Sequence, residues 1–202
     1  MTILMPVEQV ILLDETGNAI GTADKATVHR ADTPLHLAFS CYLFDRQDRL
    51  LLSQRAFAKK TWPGVWTNSC CGHPSPGEDL TDAVRRRLRD ELGIEVTELS
   101  LVLPRFRYRA VMDSGVVENE MCPVFRAHTD DQPTPAPAEV EATRWTPWDQ
   151  LIDEVTNGKQ PISPWCRLQL TELSPLGKPA DWPTAEHRDL PPAAREATIE
   201  QN

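Results

Sequence analysis

Residues 72–94 read GHPSPGEDLTDAVRRRLRDELGI and contain the strongest helix signal of the chain. From Leu80 to Leu92 an aliphatic side chain stands at every fourth position, which predicts an amphipathic helix over residues 80–92 that packs this stripe inward. Gly93 follows directly, at the place where helices commonly end on a left-handed residue. The segment therefore predicts the dominant helix of the chain.

The other side of this helix is charged. Arg87, Asp90 and Glu91 stand at spacings that bring them together, opposite much of the aliphatic stripe. A salt-bridged face turned to solvent is the ordinary explanation of such a pattern. The residues that flank the helix indicate a second explanation.

The spacing across residues 72–94 resembles the signature of the Nudix family, a loop, helix and loop that gathers divalent metals around a diphosphate. The matching positions are Gly72, Glu78, Arg86, Leu88, Asp90, Glu91, Gly93 and Ile94. One position departs, because Arg87 stands where the family carries the first metal-binding glutamate of the helix. A cation there weakens a pyrophosphatase metal site and suits phosphate oxygens. The resemblance implies the Nudix fold without implying Nudix hydrolysis.

Outside the signature, alternating apolar runs and turn residues predict further elements. Expected strands cover residues 7–13, 19–22, 37–44, 49–53, 94–103, 105–111, 117–125 and 143–146, and further helices cover 148–155 and 164–173. The first two strands form an N-terminal hairpin around residues 14–18. This order predicts an α/β protein of mixed α+β character without regular βαβ alternation. The Nudix resemblance implies a central mixed β-sheet flanked by helices.

Length and composition suit one globular domain followed by a tail. The chain has 202 residues and is 40% hydrophobic, enough for one proper core. Many of its 18 prolines follow residue 161, and residues 175–202 mix Pro, Glu, Asp and Ala with little periodicity. We therefore expect a catalytic domain over residues 1–174 and a Pro-rich, loosely ordered C-terminal tail over residues 175–202.

Charge and cysteine usage restrict the partners and the compartment. The formal net charge of −9 argues against general affinity for nucleic acid or acidic membranes, while a local cluster of cations still permits a small anionic ligand. Five cysteines without framework spacing predict free thiols. The N-terminal residues lack the features of a secretory signal, and no apolar run reaches membrane-spanning length. The sequence predicts a cytoplasmic protein, expected to be a monomer.

Histidines and glutamates form a second pattern. Three of the five histidines, His29, His36 and His73, precede the pair Glu118 and Glu120. Residues two apart on a strand point the same way, so both carboxylates share one side. Three imidazoles and two carboxylates suit a divalent metal, with zinc or manganese favoured over calcium. The solvent-exposed face of an antiparallel strand explains the glutamates equally simply.

The stretch TNSCCGHP, residues 67–74, places two cysteines side by side. If it is extended, Cys71 and His73 face one side and Cys70 the other. A metal ligand, a nucleophile, a base and plain packing are all compatible with Cys71 at this point. Cys41, Cys122 and Cys166 are interpreted as packing residues.

Five segments together resemble the type I isopentenyl diphosphate isomerases, a family of Nudix-fold enzymes. They are LHLAFS (35–40), KKTWPGVWTNSCCGHP (59–74), FRYRA (106–110), GVVENEMCPVF (115–125) and SPW (163–165). The likeness runs from about residue 8 to residue 173. It implies an isomerase that moves a proton across an allyl unit, converting isopentenyl to dimethylallyl diphosphate through a tertiary carbocation. The rival functions are a Nudix diphosphate hydrolase and a non-catalytic diphosphate-binding module.

The resemblance also implies a role for individual residues. The implied catalytic residues are Cys71, Glu120 and Tyr108. The implied ligands of the main metal, Mn²⁺ or Zn²⁺, are His29, His36, His73, Glu118 and Glu120. Glu91 and the backbone carbonyl of Cys71 are implied to hold a Mg²⁺ ion that enters with the diphosphate. The implied substrate-binding residues are Lys25, Arg55, Lys59, Arg87 and Trp165.

These roles fit the chemistry of an isolated alkene, which is a poor base and needs a positioned acid. Glu120, helped by Tyr108, is expected to protonate the alkene terminus. Trp165 is expected to face the cation with its ring, an effect of about 2 kcal/mol when desolvated. Cys71 is expected to remove the proton from the adjoining carbon as a thiolate. The opposite assignment, in which Cys71 donates and Glu120 accepts, stays open because the reaction is reversible.

Overall fold

A computed structural model describes residues 8–196 of the protein. Its strands are β1 (Gln9–Leu13), β2 (Ala19–Asp24), β3 (His36–Leu37), β4 (Phe39–Phe44), β5 (Arg49–Arg55), β6 (Trp66–Thr67), β7 (Cys70–Gly72), β8 (Ser100–Leu103), β9 (Arg107–Val111), β10 (Val117–Met121), β11 (Val124–His128) and β12 (Val140–Pro147). Its α-helices are α1 (Leu80–Leu92), α2 (Trp148–Thr156), α3 (Pro164–Leu173) and α4 (Pro192–Glu196). None of the described helices is long and apolar enough to cross a bilayer.

The strands form two mixed sheets that share a pair of parallel segments. One sheet has the order β2-β1-β3-β10-β9, and the other has the order β12-β5-β4-β11-β8, with β6 beside β5 and β7 beside β4. The segment β3–β4 runs parallel to β10–β11 through both sheets. Ala38 N–H donates to the Met121 carbonyl at 2.9 Å and Ser40 N–H to the Pro123 carbonyl at 3.0 Å, which joins the two halves.

Most predicted elements are confirmed, and the differences have local causes. The single strand expected over residues 117–125 is two strands, because Pro123 has no N–H and interrupts the ladder. The strand expected over 94–103 begins only at Ser100, and the strand expected at 143 begins at Val140. The short strands β3 and β6 lie beside longer strands and were not predicted as separate elements.

Helix α1 has the boundaries and the buried stripe that its periodicity predicts. Asp79 caps its start, accepting hydrogen bonds from Thr81 N–H at 2.8 Å and Asp82 N–H at 3.3 Å. Gly93 caps its end in the left-handed region, with φ of 65°. The aliphatic stripe is buried, and so is Glu91, which the periodicity placed on the charged face. The charged side of α1 therefore faces the interior in part and is not simply a solvated surface.

The sheet that contains β4 is covered by helices on both sides, which explains why every residue of β4 is buried. Phe39 and Leu43 pack in one core cluster with Leu88 of α1. Tyr42 and Phe44, which alternate with them, pack in a second cluster with residues of α2 and α3. The expected arrangement of a mixed sheet flanked by helices is thus observed, with the sheet divided in two.

The described part of the C-terminal segment is not the loose tail expected over residues 175–202. Trp182 is 3% exposed, and its indole N–H donates to the Gly177 carbonyl at 3.1 Å. Ala185 N–H donates to the Leu101 carbonyl at 2.7 Å, and Ala193 N–H donates to the Gly17 carbonyl at 2.9 Å. Prolines here fit short 3₁₀ turns that follow the surface, so weak periodicity did not mean weak order. The expected domain boundary at residue 174 stays a prediction.

Trp182 tests whether this C-terminal segment stabilises the domain. Its ring packs edge to face against Phe44, Trp148 and Tyr42. We expect Trp182→Ala to lower the free energy of unfolding by about 3–5 kcal/mol, measured by urea denaturation. Leu168→Ala is the control, because Leu168 is 46% exposed and its truncation should cost less than about 0.5 kcal/mol. Equal stability of the two variants would contradict a structural role for the segment.

Candidate active site

A cavity of about 740 Å³ gathers the predicted site residues. Every one of them except His36 lines its wall: Lys25, His29, Arg55, Lys59, Cys71, His73, Arg87, Glu91, Tyr108, Glu118, Glu120 and Trp165. His36 is fully buried and reaches the same centre through its imidazole. Residues that lie more than 100 positions apart in the sequence therefore meet in one pocket.

Backbone pairing places three of these side chains in a row. The parallel pairing of β3 with β10 sets His36 beside Glu120, and the antiparallel pairing of β10 with β9 sets Glu120 beside Tyr108. Neighbours that face each other across a sheet have Cβ atoms about 5 Å apart, which is within reach of direct contact. His36 itself stands on the short strand β3, one residue before the strand expected over residues 37–44.

Four ligand atoms converge at this centre. His29, His36, His73 and Glu120 each offer one, and these atoms all lie within 4.8 Å of one another. The Glu120 Oε1 atom is 3.0 Å from His73 Nε2, 3.4 Å from His36 Nε2 and 4.0 Å from His29 Nε2. Three imidazole nitrogens and one carboxylate oxygen are a donor set typical of Zn²⁺ or Mn²⁺.

The hydrogen bonds and charges of this cluster suit a metal ion. The ring atom His36 Nδ1 lies 2.9 Å from the Pro34 carbonyl oxygen, so Nδ1–H donates there and Nε2 faces the centre. Among the described residues, the buried Nε2 atoms of His29 and His36 have no hydrogen-bond partner. Burial lowers the pKa of His73 to about 4 and keeps its imidazole neutral. Such buried, unpartnered nitrogens indicate an absent partner.

The carboxylate Glu120 is ionised in this setting. Burial opposes its charge, but the three imidazoles around it, of which His73 lies 3.0 Å away, outweigh burial and hold its pKa well below the usual value. At His36 burial is likewise outweighed by Glu120, which raises the pKa of that imidazole. A metal ion that binds here competes with protons for this imidazole, because ligation requires its neutral form.

Tyr108 connects the two predicted glutamates. Its hydroxyl oxygen lies 2.9 Å from Glu118 Oε2 and 2.8 Å from Glu120 Oε2. A hydroxyl has one proton, so both contacts are hydrogen bonds only if one carboxyl is protonated. Burial and the charge of Glu120 raise the pKa of Glu118, which makes Glu118 the more readily protonated of the two. Glu118 is not among the four converging ligands, and its metal-binding role stays a prediction.

The adjacent cysteines point to different environments, as their alternation predicted. Cys71 lines the cavity, where burial and the charge of Glu120 raise the pKa of its thiol to about 12. Cys70 is 1% exposed and packs in the core cluster below α1. Its sulfur lies 3.7 Å from a carboxylate oxygen of Glu91. Only Cys71 therefore faces the cavity.

Cations and carboxylates also line one end of the cavity. Arg87 pairs with both Glu91 and Glu139, and Lys59 pairs with the same oxygen of Glu139. The Arg87 Nε atom is buried and has no partner within the described residues. A Cβ atom at Gly72 would lie 2.9 Å from Arg87 Cγ, so the glycine gives the arginine its space. This end has the charge and the free donor that a diphosphate requires.

Sequence reasoning missed Glu139. This residue precedes β12 and is held by its backbone, because its carbonyl accepts from Ala56 N–H at 3.1 Å. The hydrogen bonds of Lys59 and Arg87 outweigh burial and lower its pKa. Its partners lie 80 and 52 positions away in the sequence, so no local pattern marks it.

Trp165 closes the pocket beside these charges. It is 2% exposed, its ring centroid lies 5.4 Å from that of Trp62, and the Arg55 guanidinium carbon lies 5.6 Å from the ring. Trp62 packs edge to face on Trp165. Tyr108 lies on another side of Trp165, with ring centroids 5.9 Å apart. An aromatic surface thus adjoins the ligand cluster.

Comparison with known proteins places this site in a family. The family model of the NUDIX domain matches residues 34–166. An isopentenyl-diphosphate Delta-isomerase from Saccharopolyspora erythraea is 61% identical over 189 residues, which cover 93% of this chain and 97% of the relative. The chain belongs to the isopentenyl-diphosphate Delta-isomerase family. A relative of the same name from Rhizobium rhizogenes is 52% identical over 190 residues and covers 93% of this chain and 91% of its own.

Solved structures show the fold of this isomerase family member independently. DR0079 from Deinococcus radiodurans superposes with a TM-score of 0.61 at 20% identity, covering 80% of this chain and 96% of its own. A MutT NUDIX hydrolase from Burkholderia pseudomallei superposes with a TM-score of 0.54 at 24% identity, covering 69% of this chain and 98% of its own. At these identities the likeness concerns the fold alone. The Nudix fold and the isomerase family implied by the sequence motifs are both confirmed.

The four converging ligands make metal binding testable without an activity assay. We expect the isomerase family member to bind one Mn²⁺ or Zn²⁺ ion by titration calorimetry, and His73→Ala to weaken that binding at least about 10-fold because one neutral imidazole ligand is lost. His128→Ala is the matched control, since His128 ends β11 and is exposed. Equal affinity of the two variants would show that the cluster is not the binding site.

Proposed function

We propose that this protein converts isopentenyl diphosphate to dimethylallyl diphosphate by a 1,3-allylic proton shift. One observation supports it above the others: the pocket holds two proton-carrying groups, the carboxylate of Glu120 and the thiol of Cys71, together with an aromatic ring and a cluster of cations. The same chemistry is named for relatives that are more than 50% identical. The substrate is a small molecule with an anionic head and a short apolar tail, and the cavity offers both environments.

The cationic end binds the diphosphate. Arg55 and Arg87 present guanidinium groups, which match phosphate oxygens in pairs, and Lys25 and Lys59 add positive charge. The Arg87 Nε–H, which has no partner in the described residues, is available to a phosphate oxygen. A Mg²⁺ ion that enters with the diphosphate would be held by Glu91 and the backbone carbonyl of Cys71.

The aromatic end holds the hydrocarbon tail. Protonation of the alkene creates a tertiary carbocation, and water must be excluded from it. Trp165 faces the pocket from a buried position and stabilises the cation through the negative face of its ring, by about 2 kcal/mol when desolvated. Tyr108 and Trp62 fix the orientation of this ring through aromatic contacts.

The reaction needs one acid and one base. In one assignment the carboxyl group of Glu120 donates its proton to the terminal alkene carbon, and the thiolate of Cys71 takes a proton from the carbon on the other side of the cation. In the reverse direction the two groups exchange roles. Burial favours a protonated Cys71, and the imidazoles favour an ionised Glu120. This is the protonation state from which the reverse direction starts. His29, His36, His73 and Glu120 would hold a divalent ion, which would make a bound carboxylic acid a stronger acid.

Hydrolysis of a diphosphate is disfavoured by the same pocket. The Nudix hydrolases need an acidic cluster on the signature helix, and here Arg87 takes one of those positions and pairs with Glu91. The cytoplasmic location and the monomeric state expected from composition stay predictions.

Substitution of the two proton-carrying groups tests the reaction. We expect purified protein with Mg²⁺ and isopentenyl diphosphate to yield dimethylallyl diphosphate, and Cys71→Ala and Glu120→Gln to lower kcat by about 10³-fold or more while remaining folded, because each removes a general acid or base. Products are identified by chromatography after phosphatase treatment.

The adjacent residue provides the control. Cys70→Ala should keep kcat within about threefold of the parent, because Cys70 faces the core. A parent protein that releases phosphate or nucleoside monophosphate from diphosphates, without isomerising the substrate, would favour the hydrolase instead. Isomerisation at the parent rate by Cys71→Ala would refute the role of the thiol.

Arg87→Glu restores the glutamate that the signature carries and tests the diphosphate site. We expect KM for isopentenyl diphosphate to rise at least about 10-fold, because a buried cation that faces phosphate is replaced by a like charge. Arg89→Glu makes the same charge change on an exposed part of α1 and should leave KM near the parent value. An unchanged KM in Arg87→Glu would remove Arg87 from the binding site.

A further inference from the structure

The sulfur of Cys71 is held by two side chains that no part of the proposed reaction uses. Its thiol donates to the carboxamide oxygen of Asn68 at 3.2 Å. On another side it lies 3.4 Å from the hydroxyl oxygen of Ser40, the residue that pairs with Cys71 across β4 and β7. Both Asn68 and Ser40 are fully buried. The pocket side of the sulfur is left for a ligand.

The backbone determines which way the Asn68 carboxamide faces. Its Nδ2 group donates to the Cys41 carbonyl at 3.1 Å and to the Cys70 carbonyl at 2.9 Å, which uses both of its protons. A reversed carboxamide would set its oxygen against two carbonyl oxygens and leave both without a donor. The Oδ1 atom is therefore fixed towards Cys71, and Thr67 Oγ1 donates to the same oxygen at 2.9 Å.

Ser40 is fixed in a similar way from the other side. Gln169 Nε2 donates to Ser40 Oγ at 2.9 Å, and Gln169 Oε1 accepts the hydroxyl proton of Tyr42 at 2.9 Å, so the orientation of this carboxamide is also determined. The proton of Ser40 is then free to point at a sulfur. The sulfur atoms of Cys71 and Cys122 each lie 3.4 Å from Ser40 Oγ.

Both contacts of the sulfur lead back to helix α3. Ser163, which caps α3, shares a hydrogen bond of 2.8 Å with Thr67, and Thr67 bonds to Asn68. Gln169 lies within α3 and bonds to Ser40. The same helix carries Trp165 into the pocket. The Trp165 ring therefore belongs to α3, and the Cys71 sulfur is linked to the same helix by two separate hydrogen-bond chains, one through Asn68 and one through Ser40.

We propose that Asn68 and Ser40 are positioning residues for Cys71, which hold its sulfur at a fixed place relative to the ring of Trp165. The proposal rests on the proposed function, because the position of the sulfur matters only if Cys71 exchanges a proton with the substrate. Misplacement of a reacting group by about 1 Å costs about 10²-fold in rate. Neither residue contacts the cationic end of the pocket, so the effect falls on kcat and not on KM.

Kinetics of three alanine variants test the positioning role. We expect Asn68→Ala to lower kcat between about 10- and 100-fold and Ser40→Ala to lower it about 10-fold, with KM within about twofold of the parent. Ser69→Ala is the matched control, because Ser69 is fully buried on the neighbouring chain segment and makes two hydrogen bonds, from Leu43 N–H at 2.8 Å and to the Leu51 carbonyl at 2.7 Å. It does not touch Cys71 and should keep the parent kcat. If Asn68→Ala does not fold, Ser40→Ala carries the test.

A spectroscopic measurement separates this proposal from the proposed function. The S–H stretching band of Cys71, isolated in Raman difference spectra against Cys71→Ala, should lie below that of a free thiol and move to higher frequency in Asn68→Ala. The band is recorded without substrate, so a parent that fails to isomerise refutes the proposed function while the band still reports the contact. An unmoved band, a folded Asn68→Ala or Ser40→Ala with the parent kcat, or an equal loss in Ser69→Ala would each overturn the positioning role.

Discussion

The parallel pairing of β3 with β10 is the constraint on which the site depends. It joins two segments that lie more than 80 residues apart, and it sets His36 against Glu120 inside the protein. The next pairing, of β10 with β9, adds Tyr108 to the same row. Side chains on rigid neighbouring strands keep their separations better than side chains on loops. His29 and His73, which arrive from a loop and from the end of β7, then need only to close on a centre whose geometry is already determined.

The charges within this centre shift the pKa values of its buried groups even without a ligand. Glu120 is ionised because three imidazoles surround it, and that charge contributes to raising the pKa values of both Glu118 and Cys71. One carboxylate thus adds to the effect of burial in favouring the protonated form of two neighbours, although they lie on different elements. An ion at the imidazoles would reduce the influence of Glu120 on these neighbours, so metal binding and the proton content of the pocket are physically linked. A site that moves protons is expected to have such coupling between its titratable groups.

Features whose interacting residues lie close together in the sequence could be predicted, and features whose partners lie far apart in the sequence could not. Helix α1, its glycine cap, the N-terminal hairpin and α3 have local signals, and each is found where periodicity and turn chemistry place it. The facing directions of Cys70 and Cys71 also follow from alternation alone. Glu139, Asn68 and the seating of Trp182 have no local signal, because their roles come from partners that the fold supplies. The motifs could place Arg87 and Lys59 near a diphosphate, but not show that a third residue holds them together.

The position of Arg87 shows how one fold accommodates different chemistry. The Nudix signature helix ordinarily presents carboxylates for cations, and here the first of them is a guanidinium group. The buried positive charge requires compensation, which Glu91 provides from the next turn of α1 and Glu139 provides from the chain before β12. Gly72 supplies the space that the Arg87 side chain needs. In the proposed function, the change from glutamate to arginine offers phosphate oxygens a cation at a position where the signature otherwise holds metal ions. The proposed proton chemistry then rests on Cys71 and Glu120, which the two sheets bring into the same pocket.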